Sequence, residues 1–278
     1  MKKILVTGCN GQLGRAINQL YSKNNEIEIV NTDVADLDIT DVSKVLELVR
    51  QIKPYAIINC AAHTGVDACE TECDSAYRIN AIGPRNLSIA ATETKAKMIH
   101  ISTDYVFAGD ATTPYLEFDK PDPQGMYGKT KLAGEHFVEQ FARNYFIIRT
   151  AWLYGDGKNF VKTMLRLSET NDTVRVVKDQ VGSPTSAKEL ARIIDKLIWT
   201  ENYGLFHGTC EGVASWADFA EEIFKLSKKS TQVVKVTTEE YGNPVKRPAY
   251  SVLENYMLKL TTNYRAADWQ DALAEYLK

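Results

Sequence analysis

The sequence predicts an α/β fold, a doubly wound parallel sheet with a smaller C-terminal lobe. Two observations lead to this prediction. Through the first half of the chain, short apolar runs rich in β-branched residues alternate with segments of helical periodicity, and this alternation is typical of a parallel sheet covered on both faces. After about residue 151, turn-rich segments interrupt the alternation and the strand-like runs become shorter. We therefore expect a sheet domain over residues 1–151 and a second lobe over residues 152–278.

The apolar runs and the periodic segments give the order of the elements. Strands are predicted where nearly continuous apolar runs occur, at 4–6, 27–30, 56–59, 98–101 and 146–148. Apolar residues at helical spacing predict helices between them, near 12–22, 40–52, 74–93 and 127–143. In the second half the same patterns predict strands at 174–177 and 233–236 and helices near 186–198, 215–228 and 268–277. The helix near 186–198 is expected to pack back on the sheet.

The charge balance and the hydropathy exclude several classes of partner. Lysine and arginine total 33 against 36 acidic residues, so the net charge of −3 offers no general attraction to nucleic acid or to anionic membranes. No stretch approaches the roughly 18 apolar residues of a membrane-spanning helix. The apolar run at the amino terminus ends after Val6, which is far too short for a signal peptide. We predict a cytoplasmic protein without nucleic-acid or membrane partners.

The cysteines favour a reducing environment and no metal. There are five, an odd number without the spacing of a disulfide framework. Cys69 and Cys73 lie four residues apart and close to His63, but no second pair of cysteines or histidines completes a zinc tetrad. The sequence therefore predicts no metal site at these thiols.

A glycine-rich turn, Gly8-Cys9-Asn10-Gly11-Gln12-Leu13-Gly14, follows the first predicted strand and opens the first predicted helix. Glycines there allow a tight turn and the close approach of backbone to a pyrophosphate, while the helix amino terminus presents free N–H groups and a positive dipole end. The turn in this context indicates dinucleotide binding by a Rossmann-like sheet.

The second strand ends close to Asp33, whose carboxylate is placed to accept hydrogen bonds from the adenosine ribose and to repel a 2′-phosphate. Asp36 and Asp38 lie nearby, and Arg15 beside the glycine turn is a competing feature because a cation there could accept that phosphate. The pattern favours NADH and leaves NADPH open. The alternative for Asp33 is a solvated turn residue.

Tyr127 and Lys131 stand four residues apart at the start of the helix predicted near 127–143, so they share one helix face. Reduction of a carbonyl needs a proton at oxygen, and an ammonium one turn away is expected to lower the pKa of a tyrosine from about 10. Thr103 ends the fourth predicted strand, where ligands of open α/β sheets bind, and its hydroxyl is placed to hold the substrate oxygen. A half-buried tyrosine and a turn-capping threonine are the structural alternatives.

These motifs together resemble the extended short-chain dehydrogenase/reductase superfamily, for which the spacing of the glycine turn is typical. Further segments resemble the dTDP-4-dehydrorhamnose reductase family within it. They are Ala61-Ala62-His63-Thr64, Val66-Asp67, Ser102-Thr103-Asp104-Tyr105-Val106-Phe107, Tyr127-Gly128-Lys129-Thr130-Lys131-Leu132-Ala133-Gly134-Glu135, Arg149-Thr150-Ala151-Trp152-Leu153-Tyr154-Gly155, Asp179-Gln180-Val181-Gly182-Ser183-Pro184-Thr185, and Arg247-Pro248 with Ser251. The resemblance runs from residue 4 to about residue 254.

The resemblance implies a role for each matching position. It implies reduction of the 4-keto group of dTDP-4-dehydro-L-rhamnose by NADH or NADPH, with a catalytic triad of Thr103, Tyr127 and Lys131 and a structural Asn80. The implied cofactor contacts are Gly8, Gly11, Gln12, Leu13, Asp33, Asp38, Ile39, Ala61, Ala62 and Lys131. The implied contacts with the dTDP-sugar, in a C-terminal substrate lobe, are Val66, Tyr105, Trp152, Asn159 and Arg247.

The sequence departs from the family at one position and leaves some alternatives open. Some members dimerise through a magnesium ion held by glutamates, and Arg15 stands where one of these glutamates would be. Magnesium is therefore not supported, and both a monomer and a homodimer remain open. The alternative interpretation of Trp152 is a core residue, and that of Arg247 is a solvated surface residue. The alternative functions are a nucleotide-sugar 4-epimerase or 4,6-dehydratase, and a non-catalytic regulatory subunit that binds NADP.

Overall fold

The computed structural model describes residues 1–242, 245 and 247–278. The strands of the described residues are β1 (Lys2–Thr7), β2 (Ile27–Thr32), β3 (Ala56–Asn59), β4 (Lys97–Thr103), β5 (Tyr145–Thr150), β6 (Leu153–Tyr154), β7 (Thr173–Val177), β8 (Val181–Gly182), β9 (Thr185–Ser186), β10 (Gly204–His207), β11 (Ala214–Ser215) and β12 (Gln232–Val236). The helices are α1 (Gln12–Tyr21), α2 (Val42–Ile52), α3 (Val66–Cys69), α4 (Cys73–Tyr77), α5 (Gly83–Thr94), α6 (Met126–Phe141), α7 (Phe160–Leu167), α8 (Ala187–Ile198), α9 (Trp216–Leu226), α10 (Thr238–Tyr241), α11 (Tyr256–Thr262) and α12 (Trp269–Tyr276).

The centre of the fold is a six-stranded sheet in the order β10-β5-β4-β3-β1-β2, in which every neighbouring pair is parallel. From β1 the chain moves outward to β2 and then returns to β3 on the other side of β1. The crevice between β1 and β3, at their carboxyl ends, is therefore a topological switch point, where ligands of open α/β sheets bind.

Helices cover both faces of this sheet, and consecutive strand residues point alternately to one face and to the other. Ile4, Val6 and Ile58 pack with α1 and α8 in one apolar cluster. Leu5 and Ile57 pack with α2, α5 and α6 in another. The predicted fold class, a doubly wound Rossmann-like sheet, is confirmed.

The second half of the chain both completes the sheet and builds a separate core. Helix α8 packs on the sheet through Leu190 and Ile194, as expected for the helix near 186–198. Strand β10 then pairs with β5, which the sequence analysis did not predict. The separate core lies between α7, α9, α12 and the parallel pair β7–β12, around Phe219 and Trp269. The division near residue 151 stays a prediction.

Two other departures from the predicted elements concern helices. The helix predicted near 74–93 is interrupted by a π-helical stretch, Arg78–Ile82, between α4 and α5. Helices α3, α7, α10 and α11 were not predicted. Among the described residues, no helix combines the length and the apolarity that a membrane crossing requires.

Candidate active site

A cavity of about 750 Å³ opens at the carboxyl ends of the central strands. Its wall brings together fifteen of the residues that the sequence analysis proposed for catalysis, cofactor and substrate. These are Gly8, Gly11, Gln12, Leu13, Asp33, Asp38, Ile39, Ala61, Ala62, Val66, Thr103, Tyr105, Tyr127, Lys131 and Trp152. Asn159 and Arg247 are outside this wall.

The glycine turn forms the floor of the cavity between β1 and α1. Gly8 has a φ of +63°, and a Cβ there would lie 2.7 Å from the backbone nitrogen of Ala61. Helix α1 begins after Gly11, and no side chain caps its first turn. A positive dipole end without a side-chain cap suits an anionic group. The turn therefore fits the pyrophosphate of a dinucleotide.

The end of β2 places a carboxylate beside this floor. Asp33 Oδ2 accepts a hydrogen bond from Asn10 N at 3.1 Å, and Asp33 Oδ1 accepts one from Val34 N at 2.8 Å. Arg15 is engaged elsewhere, because its Nη1 donates to Asp156 Oδ2 at 2.9 Å. Asp38 lines the cavity as well, and hydrogen bonds from Thr40 lower the pKa of its carboxyl group. The end of the cavity beside the glycine turn is thus more acidic than basic.

Tyr127 and Lys131 lie in the first two turns of α6, and Thr103 ends β4. Tyr127 is partly exposed where it faces the cavity, yet burial raises the pKa of its phenol, and the neighbouring Thr103 side chain lowers that pKa by less. Lys131 is 2% exposed, and its Nζ donates to Ile101 O at 2.6 Å. Burial lowers the pKa of Lys131 to about 8. The expected lowering of the Tyr127 pKa by Lys131 is therefore wrong for this geometry, since desolvation dominates.

The backbone packs closely around the tyrosine. A Cβ at Gly128 would collide with the carbonyl oxygen of Tyr105, so only glycine lets α6 approach the loop after β4. Asn80 ties the loop after β3 to the same helix: its Oδ1 accepts from His63 N at 2.8 Å, and its Nδ2 donates to Thr130 Oγ1 at 3.1 Å. The structural role expected for Asn80 agrees with these contacts.

A buried ion pair connects the elements that carry the site, and the sequence analysis did not predict it. Arg149 on β5 and Glu135 on α6 are each 3% exposed, and Arg149 Nη2 lies 2.7 Å from Glu135 Oε2. Ser102 donates its hydroxyl hydrogen to Glu135. A pair this deep is held in place by its hydrogen bonds, so it fixes the ends of β4 and β5 relative to α6.

Aromatic rings form the opposite wall. Trp152 has a φ of +47°, which is unusual for a bulky residue, and its ring stacks on Trp216 with centroids 3.6 Å apart. Trp216 lines the cavity and is the functional candidate that sequence reasoning missed. The available signal was the capping box of Ser215 and Asp218, which places Trp216 at the start of α9.

The comparison with protein families identifies the chain. The family model described as the RmlD substrate binding domain matches residues 1–278, the whole sequence. The chain belongs to this family. The resemblance inferred from the motifs is thereby confirmed.

Relatives and solved structures agree with this assignment over the full length. The chain is 43% identical to the "Spore coat polysaccharide biosynthesis protein SpsK" of Bacillus subtilis strain 168, covering 100% of this chain and 98% of that protein. It is 55% identical to a dTDP-4-dehydrorhamnose reductase of Clostridium acetobutylicum, with a TM-score of 0.97 over 99% of this chain and 98% of that one. A Bacillus anthracis dTDP-4-dehydrorhamnose reductase solved in complex with NADP is 44% identical, with a TM-score of 0.94 over 99% and 98% of the two chains.

The structure gives Asn159 a role away from the cavity. Asn159 is the N-cap of α7, where its side chain accepts from Lys162 N at 3.0 Å. Its Nδ2 donates to Gly155 O at 2.6 Å and to Gln12 Oε1 at 3.1 Å. Asn159 thus reaches the cavity only through Gln12, and these contacts connect the glycine-turn helix to the second lobe.

The position where some family members bind magnesium does not fit a cation in this chain. Arg15 places a guanidinium there, paired with Asp156, and Lys162 pairs with the same carboxylate at 3.1 Å. Among the described residues, there is no group of three or more His, Cys, Asp or Glu side chains that could hold a metal ion. Two basic residues sharing one carboxylate leave no net negative charge for magnesium, whose ligands are oxygens.

Proposed function

We propose that this chain is an NAD(P)H-dependent oxidoreductase that reduces the 4-keto group of dTDP-4-dehydro-L-rhamnose to give dTDP-L-rhamnose. The observation that carries the proposal is the single cavity in which Thr103, Tyr127 and Lys131 face the glycine turn. The names of the similar reductases support this substrate. The spore coat protein of Bacillus subtilis is consistent with a product used in polysaccharide synthesis.

Tyr127 supplies the proton. When bound, the reduced nicotinamide supplies the hydride that the carbonyl carbon of the sugar accepts. The raised pKa of Tyr127 keeps the phenol protonated at neutral pH, so it is ready to donate at the developing alkoxide. The hydroxyl of Thr103, which lines the same cavity as that phenol, is placed to hold the substrate oxygen.

Lys131 has a positioning role in this reaction. Its pKa of about 8 leaves most of the side chain protonated at pH 7, and its contact with Ile101 O fixes the ammonium at the cavity wall. From there it is placed to bind the nicotinamide ribose and to steady the charge of the phenolate left after proton transfer.

The sugar nucleotide occupies the opposite half of the cavity. Val66, Tyr105 and Trp152 line that half, and Trp216 extends the wall behind Trp152. Arg247 lies at the edge, where its planar guanidinium is suited to the diphosphate. We propose that the C-terminal lobe contributes Trp152, Trp216 and Arg247 to this face and that the sheet domain contributes Val66 and Tyr105.

The proposed cofactor preference is NADH, because Asp33 adds negative charge where a 2′-phosphate would lie and Arg15 is engaged by Asp156. The NADP complex of the Bacillus anthracis relative keeps NADPH as the alternative. The protein is further proposed to act in the cytoplasm, as a monomer or homodimer, without nucleic-acid or membrane partners. The structure describes all five cysteines, and each is free, which fits a reducing location.

The test is the oxidation of NADH and NADPH with a panel of nucleotide 4-keto sugars. The proposal expects one equivalent of cofactor consumed per equivalent of dTDP-4-dehydro-L-rhamnose. Turnover of a sugar nucleotide without net cofactor consumption would instead identify an epimerase or a dehydratase. Absence of oxidation with every keto sugar would favour a binding protein.

A further inference from the structure

Asp67 and Arg247 form an ion pair beside the cavity, next to the lining residue Val66, although they are 180 residues apart in the chain. Asp67 lies on α3 of the sheet domain, and Arg247 comes from the second lobe, after α10. Arg247 Nη2 lies 3.2 Å from Asp67 Oδ2 and 3.3 Å from Asp67 Oδ1. The side chain of Asp67 is 60% exposed, whereas that of Arg247 is 28% exposed. The carboxylate is therefore the solvent-facing partner.

Arg247 also lies close to the catalytic side of the cavity. Its charge acts on the phenol of Tyr105, whose ring meets that of Tyr127 edge-on with centroids 5.5 Å apart. Val66, the neighbour of Asp67, and Tyr105 both line the cavity wall. A ligand that reaches Arg247 from the cavity therefore passes beside Asp67.

The ion pair uses only part of the guanidinium. Both carboxylate oxygens of Asp67 contact the same nitrogen, Nη2, rather than gripping two nitrogens in parallel. The Nε of Arg247 is buried and has no hydrogen-bond partner within the described part of the chain. Single-nitrogen pairs with an exposed carboxylate contribute little and are screened by water. A diphosphate offers more oxygens and more charge to the same planar group.

We propose that Asp67 determines the affinity of this site for sugar nucleotides by competing with their diphosphate for Arg247. The inference rests on the proposed function, from which the diphosphate ligand comes. Asp67 lowers affinity because its pair with Arg247 must be broken before the diphosphate can take up the guanidinium. Ligands without phosphate escape this competition, so Asp67 narrows the difference in affinity between a diphosphate and an uncharged nucleoside.

The experiment measures binding of dTDP and thymidine to the full chain by titration calorimetry at low salt. Asp67→Asn removes the competing charge and keeps the shape of the side chain. It is expected to bind dTDP about 2- to 5-fold more tightly than wild type, the affinity ratio that corresponds to an exposed ion pair. Thymidine affinity is expected to stay unchanged, because thymidine carries no phosphate.

Three further variants make the test specific. Asp74→Asn removes the same charge from an exposed position on α4 and is the matched control, which should leave dTDP affinity close to wild type. Asp67→Glu keeps the charge and should not tighten dTDP binding. Arg247→Ala should weaken dTDP binding, and adding Asp67→Asn to it should give no further gain, because the contested cation is gone.

The results separate this inference from the proposed function. An Asp67→Asn variant that binds dTDP as wild type does, or more weakly, overturns the competition and makes Asp67 a support for Arg247. A gain that persists in the Arg247→Ala background also overturns it, since Asp67 would then act by electrostatic repulsion of the ligand and not by competition for Arg247. In both cases wild type still binds dTDP, and the proposed function stands. A wild-type protein that does not bind dTDP overturns both.

Discussion

Replacement of Tyr127 by phenylalanine removes one hydroxyl group from the cavity and little else. The ring keeps its edge-on contact with Tyr105, and the backbone of α6 stays fixed against the Tyr105 carbonyl oxygen by Gly128. What is lost is the proton donor and its interaction with the Thr103 side chain. The loss of a placed general acid lowers kcat by roughly 10²–10⁴-fold, or about 2.7–5.4 kcal/mol of barrier.

The assay is steady-state oxidation of NADH with the 4-keto sugar nucleotide at saturation, together with cofactor binding by fluorescence. Cofactor affinity should stay close to wild type, and the melting temperature should fall by only a few degrees, since one hydrogen bond is worth about 1 kcal/mol. Tyr145→Phe, at the opposite end of the sheet, is the matched control and should keep full activity. A Tyr127→Phe variant with more than about a third of wild-type kcat would refute the role of a general acid.

Three other predictions follow from the geometry. Asp33→Ala should weaken NADH binding more than NADPH binding, because it removes a ribose acceptor and a charge that repels the 2′-phosphate. Equal losses of affinity for the two cofactors would mean that another residue, with Arg15 the first candidate, discriminates between them. Trp216→Leu removes the ring on which Trp152 stacks, so the KM for the sugar nucleotide should rise while the KM for NADH stays constant; a reversed pattern would place Trp216 on the cofactor side. Burial lowers the pKa of His207 from about 6.5 to about 3, so the unfolded chain binds a proton in this window that the folded chain does not, and stability falls as the pH drops from 6.5 toward 3. Thermal melts should show that His207→Gln loses less stability than wild type between pH 7 and pH 4.5, and equal losses would contradict this assignment.

Local patterns predicted the first half of the molecule well. Consecutive residues of an apolar run such as the one ending at Val6 are all buried. A parallel sheet that is covered by helices on both faces requires such continuous apolar runs. The glycine turn could be predicted from the sequence because its chemistry depends on a short contiguous segment. The Tyr127–Lys131 pair could be predicted for the same reason, since helix geometry places residues four apart on one face.

The features that sequence missed depend on contacts between distant segments. Strand β10 is short, and nothing in Gly204–His207 shows that β5 has a free edge to pair with. Trp216 enters the cavity only because α9 packs beside Trp152, which is 64 positions earlier in the printed sequence. The raised pKa of Tyr127 was also out of reach, because desolvation depends on the depth of the finished site rather than on the neighbouring lysine.

The position of β10 has a consequence for the order in which the molecule can fold during synthesis. When the ribosome has released only residues 1–151, β5 is an unprotected edge, and the sheet face that α8 covers is open to water. Open edges and bare apolar faces favour association with other chains. A fragment that ends near residue 151 is therefore expected to aggregate, and the nascent chain reaches a protected state only after His207 has emerged. The sheet is therefore complete only when the chain on both sides of residue 151 has been synthesised.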